Sequence, residues 1–405
     1  MDSESNSESD SSTVIYDHES FSTFRDRVLA FAHRTLWPGA SIHDITVSRL
    51  RGGGFNRIIG LDLQTDELPE YKTLRYILRI PRFDAAQVDR DVAALRFIHQ
   101  HSYIPAPHVV SFDETEDNEL QCPYMIQNRI PGKDLFSAYP DLGHSARCQT
   151  AKELGTIFNQ MLSLRSSVPG RLALPEAKDI NAPLYVVPFQ PADSVLPTQY
   201  RDSPSTRPVC QLLTADFQAL KATALEIDPK NTAISTIMDD FCDMATELDA
   251  GGWLVGVPYT LAHLDLAPRN ILVDCRPEQP IITGVLDWDS AVLAPMFMCC
   301  APPAWIWAWK DDEDEDERTA NDELPTLEAR QLKQLFEDAA GQDYLKFAYE
   351  PAYRLARRLV RFAIEGVRSN EDFEEAKTML QEWRSMRQSR GLGMRPSLAY
   401  LNSPH

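Results

Sequence analysis

Three acids, one amide and a run of glycines carry the chemistry that this sequence offers. His263-Leu264-Asp265-Leu266-Ala267-Pro268-Arg269-Asn270 runs directly into Ile271-Leu272-Val273, and after the proline-bracketed turn 275–280 a second apolar run, Ile281 to Leu286, ends in Asp287. Two extended runs around such a turn predict a β-hairpin. The residues just outside paired strands lie about 5 Å apart at Cα. Asn270 and Asp287 are thus expected side by side at its open end, an amide oxygen and a carboxylate, both hard ligands suited to Mg²⁺. Asp265, five residues before Asn270, lies on the loop entering the same hairpin and can face the same spot without being a ligand. Asn and Asp also cap ordinary turns, and one alone would carry no weight. Convergence of three does.

Gly52, Gly53 and Gly54 stand in Arg-Gly-Gly-Gly-Phe-Asn, 51–56. In a hairpin turn their backbone N–H groups are open to phosphate oxygens. Glycines also make plain turns, and no Gly-Lys-Ser/Thr follows, so this is not a Walker loop. Arg79 is a cation within the apolar run Tyr76 to Ile80. Asp91 falls on the apolar face that Val88, Val92, Leu95 and Ile98 give to the helix expected over 84–100, with Asp84 as its N-cap. A charge buried there is costly unless paired, so Asp91 is expected to pair with Arg79. An arginine held in that way presents its other donors to phosphates. The alternative is a purely structural ion pair.

The elements that must position these groups divide into two sets. Residues 1–12, acidic and without aromatics, have the composition of a disordered tail. From 45 to 128 strands alternate with one helix. From about 133 helices dominate, among them 148–164, 214–226, 231–249 and 351–367, with the hairpin 271–286 between them. This is an α+β plan, with a tail over 1–20, a small β-rich part over 21–130 and a larger helical part over 131–405. The helix 351–367 has Arg354, Arg357, Arg358 and Arg361 opposite its apolar stripe, which reads as a solvated face.

Bulk properties exclude several classes. A net charge of −20 over 405 residues argues against a nucleic-acid binder, which needs a basic face. Seven scattered cysteines without metal-ligand spacing read as reduced thiols of a cytoplasmic protein. The most apolar segment, 291–309, is broken by Pro295, Pro302 and Pro303 and reads as buried or substrate-facing rather than as a membrane span.

The order glycine loop, strand cation, helix acid, H-x-D-x-x-x-x-N and metal Asp resembles the protein-kinase-like phosphotransferases. Within them the sequence resembles the aminoglycoside phosphotransferase and choline-kinase-like family, and its fungal members in particular. His263–Asp274 is similar to that family's catalytic-loop motif and Gly284–Ala291 to its metal motif. The segments 51–58, 76–82 and 123–135 are similar to its nucleotide loop, third strand and hinge. The likeness covers about 25–365. It implies a two-lobe fold and transfer of the γ-phosphate of ATP or GTP, with Mg²⁺, to a hydroxyl of a small molecule. Under it Asp265 is the base or positioner, Asn270 and Asp287 hold Mg²⁺, and Arg79, braced by Asp91, contacts the phosphates. Gly52 to Asn56 cover the nucleotide, and backbone groups near Asn128 and Ile130 bind its base. His263 supports the loop, and Asp289 is either a supporting acid or a plain strand-end residue. Ala267 in place of a lysine, and D-W-D in place of D-F-G, disfavour a protein kinase. Family members mostly have Lys and Glu where this chain has Arg79 and Asp91, so a kinase-like nucleotide-binding protein without turnover is the competing reading. Leu264 stands where small-molecule kinases usually have Gly. The acidic run 311–317 suggests a cationic acceptor, whereas such runs are ordinarily solvated loops.

Overall fold

The computed structural model describes residues 20–50, 56–65, 73–82, 88–175, 183–189, 198–199, 207–276, 280–310 and 317–390. The expected tail 1–12, Gly52, Gly53, Gly54, the Asp84 cap and acidic residues 311–316 lie outside them. The chain divides into two compact units. One comprises Met1–Lys133 with Ile271–Asp274 and Thr283–Asp289; the other comprises Asp134–Asn270, Cys275–Ile282 and Ser290–His405.

The first unit is built on five antiparallel strands: β1 (Ile45–Arg49), β2 (Asn56–Leu63), β3 (Leu74–Pro81), β4 (Val109–Asp113) and β5 (Tyr124–Asn128), in the order β1-β2-β3-β5-β4. Ile59, Leu61, Leu78 and Ile126 point into one core with Phe24, Val28 and Phe31 of helix α1 (Phe21–Phe31). Helix α1 starts at Ser20, whose hydroxyl accepts from the Thr23 N–H, a standard N-cap. It is absent from the sequence reading although its buried positions, Phe24, Val28 and Phe31, fall at helical spacing. Helix α2 (Val88–His101) is the expected helix, with Val88, Val92, Leu95 and Ile98 buried.

The hairpin strands Ile271–Val273 and Ile282–Val285 are hydrogen-bonded neighbours. The chain at 130–132 pins the hairpin. Thr283 Oγ1 donates to Pro131 O at 2.6 Å. Gly132, at φ +129°, lies so close to Val273 that a Cβ would fall 2.7 Å from its carbonyl oxygen, a place only glycine fits. The Val285 N–H donates to Pro105 O at 2.7 Å.

The second unit is helix-rich: α3 (Leu135–Ala138), α4 (His144–Ser163), α5 (Val209–Ile227), α6 (Thr232–Ala250), α7 (Leu327–Ala348), α8 (Pro351–Glu365) and α9 (Asn370–Arg390). It also holds a sheet, which corrects the expectation of a single β unit there. Strands β6 (Arg165–Ser166), β7 (Gly170–Ala173), β8 (Tyr185–Val187), β9 (Thr198–Gln199), β10 (Tyr259–Ala262) and β11 (Val292–Pro295) run in the order β9-β8-β7-β11-β10-β6. None exceeds four residues, too short to show a period of two in sequence. Val292 to Cys300 are wholly buried, so the apolar segment is core. No helix among the described residues is long and apolar enough to cross a membrane. All seven cysteines are free.

The arginine row of α8 is the second correction. Arg354 and Arg358 pair with Glu382, and Arg358 also with Glu375; α9 carries both acids on the face that covers the row. Arg361 pairs with Glu365 one turn on. Arg357 is buried. Its Nε donates to Glu317 at 2.9 Å, and its Nη atoms donate to the carbonyls of Phe347 (2.9 Å), Ala348 (3.1 Å) and Phe297 (3.3 Å). Phe347 and Ala348 end α7, where carbonyls have no partner within the helix and favour a cation. Truncating Arg357 orphans these oxygens and leaves Glu317 unpaired. Arg357→Ala is expected to cost about 3–5 kcal/mol, read by urea unfolding of the full chain; a loss below about 1 kcal/mol would show the network to be dispensable.

One further buried acid has a measurable signature. Asp216 on α5 is 7 % exposed, and its Oδ2 has no hydrogen-bond partner. Burial pushes its carboxyl up to about 7, against the pull of Arg207. A folded-state value above the unfolded one means that folding takes up a proton. Stability is therefore greatest below the ordinary carboxylate value and falls as pH rises from there through about 7. Asp216→Asn removes that loss. The variant should match wild type near pH 4 and exceed it by roughly 2–4 kcal/mol at pH 8; equal pH slopes in urea unfolding would refute this.

Candidate active site

In the first unit, strand β3 delivers Arg79 at the register Ile58–Arg79–Met125. Arg79 and Asp91 are buried at 7 % and 4 % exposure. The expected pair forms, Nη2 to Asp91 Oδ2 at 3.2 Å. The same Nη2 donates to Asp287 Oδ1 at 2.8 Å and lies 3.8 Å from Asp289 Oδ2. One nitrogen thus serves three carboxylates, while Arg79 Nε and Asp91 Oδ1 are buried without hydrogen-bond partners. Burial opposes the guanidinium charge, but Asp91, Asp287 and Asp289 together outweigh it and hold Arg79 firmly protonated. Asp91 is pushed upward, chiefly by burial and further by Asp287, with Arg79 pulling the other way.

Asp287 has φ +66°, a left-handed conformation that Asp tolerates better than most residues. Trp288, fully buried, secures the turn by donating Nε1–H to Val285 O at 2.9 Å. Asn56 begins β2 opposite Pro81. Asn128 ends β5; its N–H donates to His108 O at 3.0 Å and its Oδ1 accepts from the His108 N–H at 2.5 Å. Its own N–H is therefore spent. The Ile130 side chain packs against Gly284 of the hairpin.

In the second unit, β10 leads into the loop. His263 is 2 % exposed, and its Nδ1 accepts the Asp265 N–H at 3.3 Å. Its carbonyl accepts from Ser290 Oγ at 2.8 Å. It braces the loop, as its sequence position suggested. Leu264, next to it, has φ +62°. That conformation costs a non-glycine residue about 1–2 kcal/mol, which is the physical reason a glycine suits the position.

Both oxygens of Asp265 are engaged. Asn270 Nδ2 donates to Oδ2 at 2.9 Å and to the Asp265 carbonyl at 2.8 Å. Arg269 Nη2 donates to Oδ1 at 2.5 Å. With both amide hydrogens spent on Asp265, Asn270 is oriented so that its Oδ1 is the atom left for a cation. The Arg269 contact went unread in the sequence, although the i, i+4 spacing of Asp265 and Arg269 was there to be seen. The convergence of Asp289 on Arg79 was likewise missed. Among the described residues no group of three or more His, Cys, Asp or Glu is placed to hold a metal by itself. Asp287 in the first unit and Asn270 in the second each carry an oxygen of the kind that suits a hard divalent ion.

In the first unit a buried strand cation is braced by a helix acid and a hairpin Asp, and in the second an Asp–Asn loop follows a buried His. The model of the phosphotransferase enzyme family matches residues 63–332, and the chain belongs to that family. A curated relative, clavilactone A biosynthesis cluster protein Y of Ampulloclitocybe clavipes, is 25 % identical over 236 residues, covering 55 % of this chain and 54 % of the relative. The chain thus spans about half the length of that relative. Two solved structures are similar at low identity. The aminoglycoside phosphotransferase APH(4)-Ia, in ternary complex with AMP-PNP and hygromycin B, is 17 % identical, with TM-score 0.47, 90 % of this chain covered and 98 % of that one. The GDP complex of aminoglycoside 2'-phosphotransferase-IIIa is 15 % identical, with TM-score 0.45, 88 % and 98 % covered.

Proposed function

We propose that the protein is a cytosolic, Mg²⁺-dependent kinase of a small molecule, moving the γ-phosphate of ATP or GTP to a hydroxyl group. The observation that carries this reading is the Asp265–Asn270 pair, in which one amide fixes the base and is itself left with an oxygen suited to a cation. Family membership supports the phosphotransferase class, and the curated relative's place in a biosynthesis cluster is in keeping with a small-molecule acceptor. Asp311–Glu317 would favour a cationic acceptor if it faced the site.

In this reading Asp265 accepts a hydrogen bond from the acceptor hydroxyl and aims its oxygen at the γ-phosphorus. As the new O–P bond forms and the bond to the leaving diphosphate breaks, Asp265 takes the hydroxyl proton and passes it to solvent. Arg79 would offer positive charge to phosphate oxygens, steadied by Asp91. Asn270 and Asp287 would hold Mg²⁺, which supplies charge neutralisation to the phosphates. Gly52, Gly53, Gly54 and Asn56 would cover the nucleotide, and backbone groups at Asn128 and Ile130 would meet its base, the Asn128 carbonyl rather than its N–H.

A second reading, a nucleotide-binding protein without turnover, draws on one observation: Arg79 itself binds Asp287, the carboxylate assigned to the metal. ADP and GDP release with Mg²⁺ and a panel of sugar, amino-alcohol, aminoglycoside and hydroxy-acid acceptors separates the two. Turnover with any acceptor above the buffer rate is expected. Mg²⁺–nucleotide binding without turnover on every acceptor would favour the second reading, and no nucleotide binding would sink both.

A further inference from the structure

The position of Arg269 bears on the acceptor's chemical class, an inference that rests on the reading of Asp265 as the group meeting the hydroxyl. Arg269 and Asp265 side chains are 43 % and 39 % exposed, and Arg269 lies directly on Asp265 Oδ1 at 2.5 Å. The charge of the base is therefore already matched by a guanidinium on its own loop. A cationic group beside the acceptor hydroxyl would meet that guanidinium, not a spare carboxylate.

The neighbouring element points the same way. Helix α3 packs against the turn Pro268–Asn270. Asp134 caps α3, its Oδ1 accepting the Ser137 N–H at 2.8 Å. Around α3 stand rings: Trp309 stacks on Tyr139 with centroids 4.4 Å apart and lies 5.5 Å from Phe136. Phe136 and Trp309 are half-buried, leaving part of each ring on the surface. A second guanidinium, Arg147, lies 4.7 Å over the Tyr139 ring and donates to the carbonyls of Tyr139 and Pro140. The half-exposed guanidinium of Arg269 and the part-exposed rings of Phe136 and Trp309 suit a planar anion.

We propose that Arg269 selects an acceptor bearing an anionic group, a carboxylate on an aromatic or otherwise flat ring system, close to its reactive hydroxyl. Arg269 acts as a specificity residue: its guanidinium binds the acceptor's carboxylate while the hydroxyl takes its place at Asp265.

Two matched probes test this, para-(hydroxymethyl)benzoate and para-(aminomethyl)benzyl alcohol. They share a ring and a hydroxyl and differ in the sign of one charge. Their dissociation constants are measured by ligand-observed NMR on the full-length protein, with and without Mg²⁺ and AMP-PNP, for wild type, Arg269→Lys, Arg269→Gln and Arg269→Glu. Wild type and Arg269→Lys should prefer the benzoate by about five- to tenfold, the size expected when an attractive half-exposed charge contact is exchanged for a repulsive one. Arg269→Gln should level the two and Arg269→Glu should reverse them. Equal affinities in wild type, preference for the amine, no detectable binding of the benzoate, or an order indifferent to residue 269 would each overturn the proposal. Thermal shift with Mg²⁺ and AMP-PNP on the same samples reports on the kinase reading separately. A charge order that follows residue 269 in a protein that binds no nucleotide would leave the anion preference standing and remove the kinase.

Discussion

Asp265→Asn will reduce kcat by about 10²- to 10⁴-fold, the range attached to a positioned general base, while the dissociation constant for Mg²⁺–ADP stays within about threefold of wild type, a shift below 1 kcal/mol. The substitution keeps side-chain volume and removes one acceptor oxygen and the charge. In wild type the two carboxylate oxygens accept from Asn270 Nδ2 and Arg269 Nη2. An amide in their place can keep its oxygen toward Asn270 Nδ2 and set its own NH₂ against Arg269, so Arg269 leaves and Asn270 keeps its orientation. That change does not touch Arg79, which is fixed by acids of the first unit. Turnover should collapse and nucleotide binding survive, read by single-turnover kinetics beside titration calorimetry. A kcat within tenfold of wild type would remove Asp265 from the chemistry.

Arg79→Ala will produce a large stability loss, about 3–5 kcal/mol by urea unfolding, because removing one partner of a buried ion pair leaves the other uncompensated. Asp91, already pushed upward by burial, would be left facing Asp287 with no cation between them. Arg79→Lys should behave differently. All three acids converge on a single nitrogen, Nη2, and Nε has no partner. The bidentate grip that normally distinguishes arginine from lysine is therefore not in use. A lysine ammonium that reaches the same point is expected to keep stability within about 1 kcal/mol. Pairing Arg79→Ala with Asp91→Asn should recover about 1–3 kcal/mol of the loss, the size of coupling expected for residues in contact. Strict additivity would mean that Asp91 does not depend on Arg79.

What could be read in advance was what burial and pairing energetics dictate. A cation inside a strand and an acid on the apolar face of a helix have few affordable arrangements, and Arg79 and Asp91 adopt the expected one. The hairpin 271–286 was equally legible, since two apolar runs and a proline-rich turn admit little else. Other parts escaped. The short strands β6 to β11 are held by their neighbours in the sheet rather than by any pattern of their own. The α8 arginines looked solvated because the acids that cover them, Glu375 and Glu382, arrive with α9. The apolar stripe of that helix, Ala376, Met379, Leu380 and Trp383, is short and set among charged residues, and it went unread. Helix α7 is interrupted at Gly341, φ +83°, where Asn159 Nδ2 takes up the Ala340 carbonyl at 3.1 Å. The break obscures its periodicity.

The division of the chain into units has a consequence for inheritance and engineering. The polypeptide passes from the second unit to the first between Asn270 and Ile271, visits the second again over Cys275–Ile282, and finally returns to it between Asp289 and Ser290. The boundaries fall at the ends of the two motifs assigned to the metal. No single uninterrupted gene segment encodes the first unit. A cassette ending at Lys133 would carry Arg79 and Asp91 but neither Asp287 nor Asp289, and so would hold a cation stripped of two of its three acids. Recombination or fusion at the apparent boundary near residue 133 would separate the residues that balance one another's charge. The unit is transferable only together with a later stretch of the chain, so the two parts are bound to be inherited as one piece.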